Sequence, residues 1–386
     1  MGALPQVAAP KQTWSKHMGR DATKQAEEPD QVPAPAPAKL AADPASGDIA
    51  SGNQRPATIY DVAREAGVSH QTVTRVLKDY PSIRPHTRER VLEALERLDY
   101  RPNLTARSLT TGRSHRIGAL THELQQFGPS SVAQGAAAQA RESGYLLDIV
   151  SLDMSDVAEI EQALDLLHQH DLAGVLALSS NDEMTEAFGR ARFRVPAYIA
   201  TEEDEPFSAH PSELTTVGFP ALVNHLAELG HREFLHVAGP EAWMAARNRA
   251  RAYTSALEAR GLHSAGTIHG DWSARSGYEA IAGLGRDIPA TAIVAANDQT
   301  ALGVLRALHE RGLKVPEDVS VTGVDDIPDA AYFTPPLTTL QVDFETQGRN
   351  AVQQLLSLMN HSTAPETTTL PSRLVVRRST GPAARR

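Results

Sequence analysis

The stretch TIYDVAREAGVSHQTVTRVLKDY, residues 58–80, decides how the folded part of the chain begins. Thr58 and Asp61, three residues apart, form a capping-box pattern and predict the start of a helix. Gly67 supplies the left-handed backbone position that ends it. Ser69 is a favoured N-cap and predicts a second helix directly after the turn. Two helices joined by a tight glycine turn form the helix-turn-helix arrangement.

Both predicted helices are amphipathic. The first spans residues 59–66 and has two inward-facing side chains, Val62 and Ala63. The second reaches residue 78, and 3–4 spacing gives it one apolar face, formed by Val73, Val76 and Leu77. Its other face is rich in hydrogen-bonding groups, contributed by His70, Gln71, Thr74 and Arg75.

The polar face of the second helix suits the major groove of DNA. Gln71 can pair with adenine and Arg75 with guanine, each through two hydrogen bonds. The hydroxyls of Ser69, Thr72 and Thr74 suit phosphate groups. The alternative is an ordinary helical hairpin with a solvated polar face. The glycine turn and the local positive charge favour DNA binding.

The charge of the 386-residue, 41.5 kDa chain is unevenly distributed. The whole chain has a formal net charge of -10. Residues 55–116 carry 12 Lys and Arg against 7 Asp and Glu, which is +5, whereas residues 117–386 carry 20 against 34, which is -14. A basic module therefore precedes a large acidic one, and this asymmetry favours a nucleic-acid contact on the basic side. The alternative is a chance cluster of surface arginines.

Composition excludes several classes of protein. The chain has no cysteine, which excludes disulfide scaffolds, Cys-ligated metal sites and cysteine nucleophiles. No apolar run approaches the ~18 residues that a membrane helix needs. Residues 1–57 hold 8 Pro and 13 Ala but no apolar signal-peptide core, so we expect a disordered, partly polyproline-II extension of a cytoplasmic protein.

A third helix is predicted from Pro85, completing a head over residues 58–102. Its expected core stripe consists of Val91, Leu92, Leu95 and Leu98. Residues 103–113 follow as a hinge and linker, in which Asn103 can cap a short helix ending near Leu109. A helix of that length is unstable alone, so DNA or a partner subunit must order it.

The remaining residues, 114–386, predict a two-lobed α/β sensor. Apolar runs that read as strands lie at residues 116–120, 145–150, 174–178, 196–200, 233–239, 292–296 and 319–324. Helical patterns between them include residues 131–143, 157–170, 246–260 and 300–311. This alternation predicts parallel sheets covered on both faces, and the strand count exceeds one sheet. Asn297 and Asp325 directly follow strands, where ligands bind in open α/β sheets.

The head resembles the LacI/GalR family of transcription regulators, through YDVAREAGVSHQTVTRVL and TRERVLEALERLDYRPN. The resemblance implies that His70, Gln71 and Arg75 read bases in the major groove. It also implies a DNA-contacting hinge helix over residues 103–109, whose matching residues are Asn103, Ala106 and Leu109. Leu109 matches the leucine that wedges into the minor groove. Two positions depart: His70 stands where the family's type member has Tyr, and Arg84 stands where a Ser usually caps the third helix.

The sensor resembles the same family through GDWSARSGY, ANDQTALGVLRALHERGLKVPEDVSVTGVDD and FTPPLTTLQVDF. The resemblance implies an effector pocket that contains Arg249, Trp272, Asn297 and Asp325. Trp272 would stack on a sugar ring and the other three would bind hydroxyls. The alternative is structural: an Arg249–Asp325 ion pair beside a core tryptophan. Four further pocket positions depart from the family's type member, namely His122, Gln126, Thr201 and Val342.

These observations predict an effector-controlled DNA-binding regulator that acts as a homodimer on a pseudo-palindromic operator. A sugar is the expected effector, and a purine or other corepressor is the alternative. The chain ends STGPAARR without a leucine heptad, so we expect a dimer and no tetramer. A sugar-transport protein would have a signal peptide and no helix-turn-helix. An enzyme, a cofactor and a metal are not expected, because nucleophile–base sets, nucleotide-binding glycine motifs and HExxH are absent from the sequence.

Overall fold

The computed structural model of the chain describes residues 55, 57–101, 114–152, 157–178, 181–200, 212, 214–285, 287–366 and 370–384. Most of the predicted extension and the whole predicted hinge lie outside the described residues. The same holds for four of the predicted site positions, Asn103, Ala106, Leu109 and Thr201.

The head is a three-helix unit with its own small core. Its helices are α1 (Ile59–Glu65), α2 (His70–Leu77) and α3 (Pro85–Arg97). The side chains buried between them are Val62, Ala63, Ala66, Val73, Val76, Val91 and Ala94. The predicted helix-turn-helix is therefore confirmed.

Local capping explains where α1 and α2 begin. The Thr58 hydroxyl accepts from the Asp61 N–H, while the Asp61 carboxylate accepts from the Thr58 N–H at 2.9 Å. Gly67 has φ +61°, the left-handed conformation that the turn requires. The Ser69 hydroxyl accepts from the Thr72 N–H at 3.2 Å and caps α2.

The predicted core stripe was partly wrong. Leu77 is 39% exposed and Leu92 is 49% exposed, whereas Val91 is fully buried. Leu92 lies one position, or about 100°, around α3 from Val91, so it faces away from α1 and α2. Leu77 is the last residue of its helix. Arg84 makes no side-chain capping bond to α3, as its departure from the family pattern suggested.

The first sensor lobe, here called the N-lobe, contains a four-stranded parallel sheet with strand order β2-β1-β3-β4. The strands are β1 (Arg116–His122), β2 (Leu146–Leu152), β3 (Gly174–Leu178) and β4 (Ala197–Ala200). The helices that follow the first three strands are α4 (Phe127–Glu142), α5 (Val157–Gln169) and α6 (Asp182–Arg190). Strand and helix alternate as predicted.

The second lobe, the C-lobe, contains a six-stranded sheet with order β10-β9-β8-β7-β5-β6. Its strands are β5 (Glu233–Ala238), β6 (His263–His269), β7 (Ala292–Ala295), β8 (Ser320–Asp325), β9 (Thr338–Gln341) and β10 (Arg373–Val375). All are parallel to their neighbours except β10, which pairs antiparallel with β9 at the edge. The helices are α7 (Phe219–Glu228), α8 (Met244–Glu258), α9 (Ala274–Ala282) and α10 (Asp298–Glu310), with a π-helical turn at Leu214–Gly218 and a 3-10 turn at Pro328–Tyr332.

The last helix, α11 (Phe344–Met359), returns from the C-lobe and packs on the N-lobe. Ala351, Val352 and Leu355 enter the core that α4 shares with β1 and β3. The two helices cross closely because each has a glycine at the contact. A Cβ on Gly135 would lie 2.0 Å from the Glu345 carbonyl oxygen, and one on Gly348 would lie 1.9 Å from that of Val132.

Candidate DNA interface and ligand cleft

The exposed face of α2 presents the predicted base-reading side chains. His70, Gln71 and Arg75 are exposed, while Val73 and Val76 on the opposite face are buried. The helix therefore lies with its apolar side on the head core and its donor-rich side toward solvent. This is the orientation that major-groove readout requires.

The three hydroxyls on α2 are already engaged within the helix. The Thr74 hydroxyl donates to the His70 carbonyl at 3.0 Å. Ser69 and Thr72 lie with their hydroxyl oxygens 3.0 Å apart, and Ser69 also caps the helix. In this rotamer the Thr74 hydroxyl cannot also donate to a phosphate. The backbone N–H groups of the first turn of α2 are the other donors available for a phosphate contact.

Tyr60 is a further exposed group at this surface that the sequence analysis did not single out. It is 62% exposed, and its ring centroid lies 5.2 Å from that of His70. Behind the turn, the Arg90 guanidinium donates to the carbonyls of Ala66 and Gly67 and so connects α3 to the turn between α1 and α2.

The predicted effector residues of the C-lobe come together beyond the carboxyl ends of β7 and β8. The Arg249 guanidinium, on α8, donates to the Ala296 carbonyl at 2.6 Å and lies 3.4 Å from the Asp325 carboxylate. Both charged side chains are buried. The ion pair proposed as the structural alternative is therefore present, in the same place as the predicted pocket.

The Trp272 ring packs beneath the Arg249 guanidinium in this cluster. Trp272 adopts φ +70° and is 5% exposed. Arg249 lies over its ring, with Cζ 5.2 Å from the centroid, and the backbone of Gly239 packs so closely that a Cβ would lie 2.5 Å from Cζ2. Among the described residues, neither Trp272 Nε1 nor Arg249 Nε finds an acceptor. Buried donors of this kind are satisfied by a ligand or by ordered water.

Asn297 holds the cluster together through both ends of its amide. Its Oδ1 accepts from the Thr300 N–H at 2.8 Å and caps α10, and its Nδ2 donates to the Trp272 carbonyl at 3.1 Å. Each amide end retains one further hydrogen-bonding position. Asn297 therefore positions Trp272 and can still contact a ligand.

Asp298 stabilises the turn that contains Asp325. The sequence did not predict this role. Asp298 is fully buried, accepts from the Ile327 N–H at 2.9 Å and also accepts from the Thr339 hydroxyl. Burial, followed by the charge of Asp325, raises the pKa of Asp298 to about 8, so its carboxyl is protonated at neutral pH. The supported turn is strained, because Asp325 and Asp326 adopt φ of 115° and 56°.

The N-lobe side of the cleft contributes His122, at the end of β1. Burial lowers its pKa to about 4, so the imidazole is neutral. Its ring lies edge-on to Trp243, with centroids 4.4 Å apart, and Trp243 in turn lies 6.1 Å from Trp272. Three rings therefore form a row from one lobe to the other, which here is called the aromatic row.

Two further contacts join the lobes beside the aromatic row. Asn181 and Trp243 form an antiparallel backbone bridge. Next to it, the Arg247 guanidinium donates two hydrogen bonds to the Asp182 carboxylate, at 2.9 and 3.0 Å. The start of α6 is thus attached to the start of α8.

The remaining predicted pocket positions contribute less. Gln126 precedes α4 and donates to the Glu123 carboxylate. Val342 packs against the core between β8, β9 and α7. The structure therefore brings Arg249, Trp272, Asn297 and Asp325 together and connects His122 to them through Trp243.

Within the described part of the chain, no helix has both the length and the apolar character needed to cross a bilayer. The same residues include no group of three or more His, Asp or Glu side chains placed to hold a metal ion.

Comparison with known proteins covers both parts of the chain. Residues 58–103 match the model for bacterial regulatory proteins of the lacI family, and residues 223–380 match a periplasmic binding protein-like domain. The lactose operon repressor of Escherichia coli (strain K12) is 34% identical over 332 residues, which are 84% of this chain and 91% of the relative. Catabolite control protein A of Priestia megaterium is 30% identical over 84% of this chain and 99% of its own length.

Solved structures agree. The lac repressor dimer bound to operator and the anti-inducer ONPF superposes with a TM-score of 0.74 at 33% identity, covering 85% of this chain and 100% of that one. The cellobiose complex of the transcriptional regulator CelR gives a TM-score of 0.59 at 28% identity, covering 84% and 99%. The homologues are DNA-binding transcriptional regulators. The chain belongs to the lacI family of bacterial regulatory proteins.

Proposed function

We propose that the chain is a sequence-specific repressor of a carbohydrate-utilisation operon, released from or held on its operator by a sugar bound between the two lobes. The observation that carries this proposal is the buried Arg249–Trp272–Asp325 cluster at the carboxyl ends of β7 and β8. It combines an apolar ring, unsatisfied donors and a carboxylate, which together fit a ring-shaped polyol. The protein acts in the cytoplasm, where its operator is.

Operator recognition is assigned to the head. His70, Gln71 and Arg75 read base edges, while Ser69, Thr72 and the N-terminus of α2 position the helix on the phosphates. Thr74 joins them once its hydroxyl leaves the His70 carbonyl. The hinge residues Asn103, Ala106 and Leu109, outside the described part of the chain, complete the contact in the minor groove. Two heads of a homodimer bind a pseudo-palindromic site. The division into extension (1–57), head (58–102), hinge (103–113) and sensor (114–386) belongs to the same proposal.

Control by the effector requires that the two conformations of the sensor bind it with different affinities. The cleft suits this requirement, because its contacts come from both lobes and change when the lobes move. A purine uses the same stacking surface and donors, so it is the second candidate. No reaction is assigned to the site, since the cluster lacks a nucleophile paired with a base.

The first test measures operator recognition. DNA sites are selected from random duplexes, and affinities are measured by fluorescence anisotropy. Arg75→Ala is expected to weaken operator binding by about 1–3 kcal/mol and to relax specificity at one base pair. Arg97→Ala removes the same charge from α3 and serves as the matched control. An equal loss on every DNA sequence would contradict base reading by Arg75.

The second test measures the effector. Thermal unfolding and operator binding are followed across a panel of sugars, glycosides and purines. The ligand that shifts both identifies the effector class. Arg249→Ala is expected to abolish this response while leaving operator affinity unchanged, and an unaltered dose response would remove Arg249 from the pocket.

A further inference from the structure

Trp243 occupies a position where local structure does not favour it. It is the N-cap residue of α8, with φ -102° and ψ 128°, yet this helix has no side-chain capping bond. Ser, Thr, Asp or Asn at an N-cap stabilises a helix by about 0.5–2 kcal/mol over a residue that cannot cap. Residues that break a local rule are expected at functional sites. The position of Trp243 therefore indicates a function in the cleft that its ring faces.

Trp243 is the accessible member of the aromatic row. His122 is fully buried and Trp272 is 5% exposed, whereas Trp243 is only half-buried. Its backbone is bridged to Asn181 and its N–H donates to the Pro240 carbonyl at 3.1 Å, so the main chain is held while the indole faces both lobes. Of the three rings, Trp243 therefore offers the most surface to a ligand in the cleft.

The inner end of the aromatic row, at Trp272 and Arg249, is polar. Trp272 Nε1 and Arg249 Nε are buried donors without an acceptor among the described residues. The charge of Arg249 is balanced by Asp325. This end therefore suits a neutral ring that carries hydroxyl oxygens, such as a pyranose. The ring-to-ring steps of 6.1 and 4.4 Å extend the apolar surface beyond such a ring, toward Trp243 and His122.

We propose that Trp243 is a specificity-determining residue that packs against a second ring of the effector, so that the cleft selects neutral two-ring glycosides over single sugars. The inner ring bears the hydroxyls and lies at Trp272 and Arg249, and the outer ring, either an aryl group or a second pyranose, lies at Trp243. The proposal rests on the proposed function, because it concerns the same cleft.

The test uses matched pairs of ligands and the full chain. Methyl and phenyl β-D-glucopyranosides and methyl and phenyl β-D-galactopyranosides differ only in the outer group within each pair. Binding is measured by titration calorimetry. In the wild type, the phenyl member of at least one pair is expected to bind about tenfold tighter than the methyl member. Trp243→Ala is expected to reduce this preference to about twofold or less, whereas Trp243→Phe retains most of it.

Controls separate specificity from folding. Tyr80→Ala removes an exposed ring from the head and should leave the preference unchanged. Thermal unfolding and operator binding are measured on every variant, and Trp243→Phe reports on the site if Trp243→Ala fails to fold. Equal affinities within both pairs, a preference that survives Trp243→Ala, or no binding of any of the four glycosides at millimolar concentration would each overturn the inference. Failure of operator binding in the wild type would instead overturn the proposed function.

Discussion

Asp298 is a fully buried side chain that shapes the cleft through its hydrogen bonds. Its oxygens accept from the Ile327 N–H and the Thr339 hydroxyl, and its position requires a glycine opposite, because a Cβ on Gly323 would lie 2.1 Å from Oδ1. The left-handed turn at Asp325 and Asp326 is thereby held in place. A neutral carboxyl is the form that suits this site, since the charge of Asp325 is nearby.

The raised pKa of Asp298 predicts a pH-dependent stability. The folded state holds this proton up to a pKa of about 8, whereas the unfolded chain releases it near the ordinary aspartate pKa of 3.8. Its stabilising contribution is complete below the unfolded pKa and is lost as the pH rises through the folded pKa. Over this window the free energy of unfolding falls by up to about 1.4 kcal/mol per pH unit from this group. Asp298→Asn, which mimics the protonated carboxyl, should remove that slope.

The measurement is urea unfolding at a series of pH values, taken as the difference between wild type and variant. The difference isolates Asp298 from the buried His122 and His236, whose pKa values burial lowers to about 4. Asp329→Asn, at an exposed carboxyl, is the control. Parallel pH profiles for wild type and Asp298→Asn would contradict a protonated Asp298.

Individual site residues differed in how far the sequence could predict them. Asn297 lies just beyond β7 and Asp325 ends β8, so strand placement alone located them. Asp298 carries no such pattern, because its role depends on a turn that approaches from another strand. Trp243 lies in a segment, GPEAW, typical of a turn, and its contact with His122 joins two lobes that are far apart in sequence.

At the level of helices and strands, apolar runs predicted seven strands and missed one exposed edge strand and two short strands. All seven predicted strands are present, but β6, β9 and β10 were not predicted. Strand β6 reads HSAGTIH and lies at a sheet edge with mostly exposed side chains, so it lacks an apolar run. Strands β9 and β10 are four and three residues long. Helix α4 begins at Phe127, four residues before its predicted start, because Pro129 is tolerated in a first turn.

The crossing of α9 and α10 yields a prediction about packing. A Cβ on Gly303 would lie 1.8 Å from the Ala274 carbonyl oxygen, and one on Gly277 would lie 2.1 Å from that of Thr300. Gly303→Ala must push the helices apart and should destabilise the protein by about 1–3 kcal/mol or more. Because α10 begins at Asn297 and Asp298, effector binding should weaken as well.

Gly189→Ala provides the matched control for this crossing. Gly189 lies in α6 with nothing near its Cβ position, so alanine there should stabilise by about 0.5–1 kcal/mol through helix propensity. Urea unfolding of both variants is the measurement. If both substitutions have the same sign, the close approach of α9 and α10 does not limit packing.

The whole molecule combines a basic head with an acidic sensor of two lobes. The contacts between the two lobes are the ones that a change in their separation would alter. Helix α11 connects the C-lobe back to the N-lobe core, while the Asn181–Trp243 bridge and the Asp182–Arg247 pair connect the lobes beside the ligand cleft. The first connection involves a buried core and is fixed. The second includes the partly exposed side chains of Asp182 and Arg247, whose ion pair can break when the lobes move.

The Asp182–Arg247 pair should therefore bias the lobes toward closure. Asp182 is 58% exposed and Arg247 is 29% exposed, so the pair is worth about 0.2–1 kcal/mol. Arg247→Ala should raise the ratio of open to closed molecules up to about fivefold, and high salt should do the same to the wild type.

Because the chain has no cysteine, single cysteines at the exposed Arg192 and Glu258 allow spin labels to report the lobe separation directly. The reversed pair Asp182→Arg with Arg247→Asp should restore the closed population, since it exchanges the charges and keeps the attraction. A distance distribution that is the same in wild type, Arg247→Ala and the reversed pair would show that closure depends on the aromatic row and the backbone bridge alone.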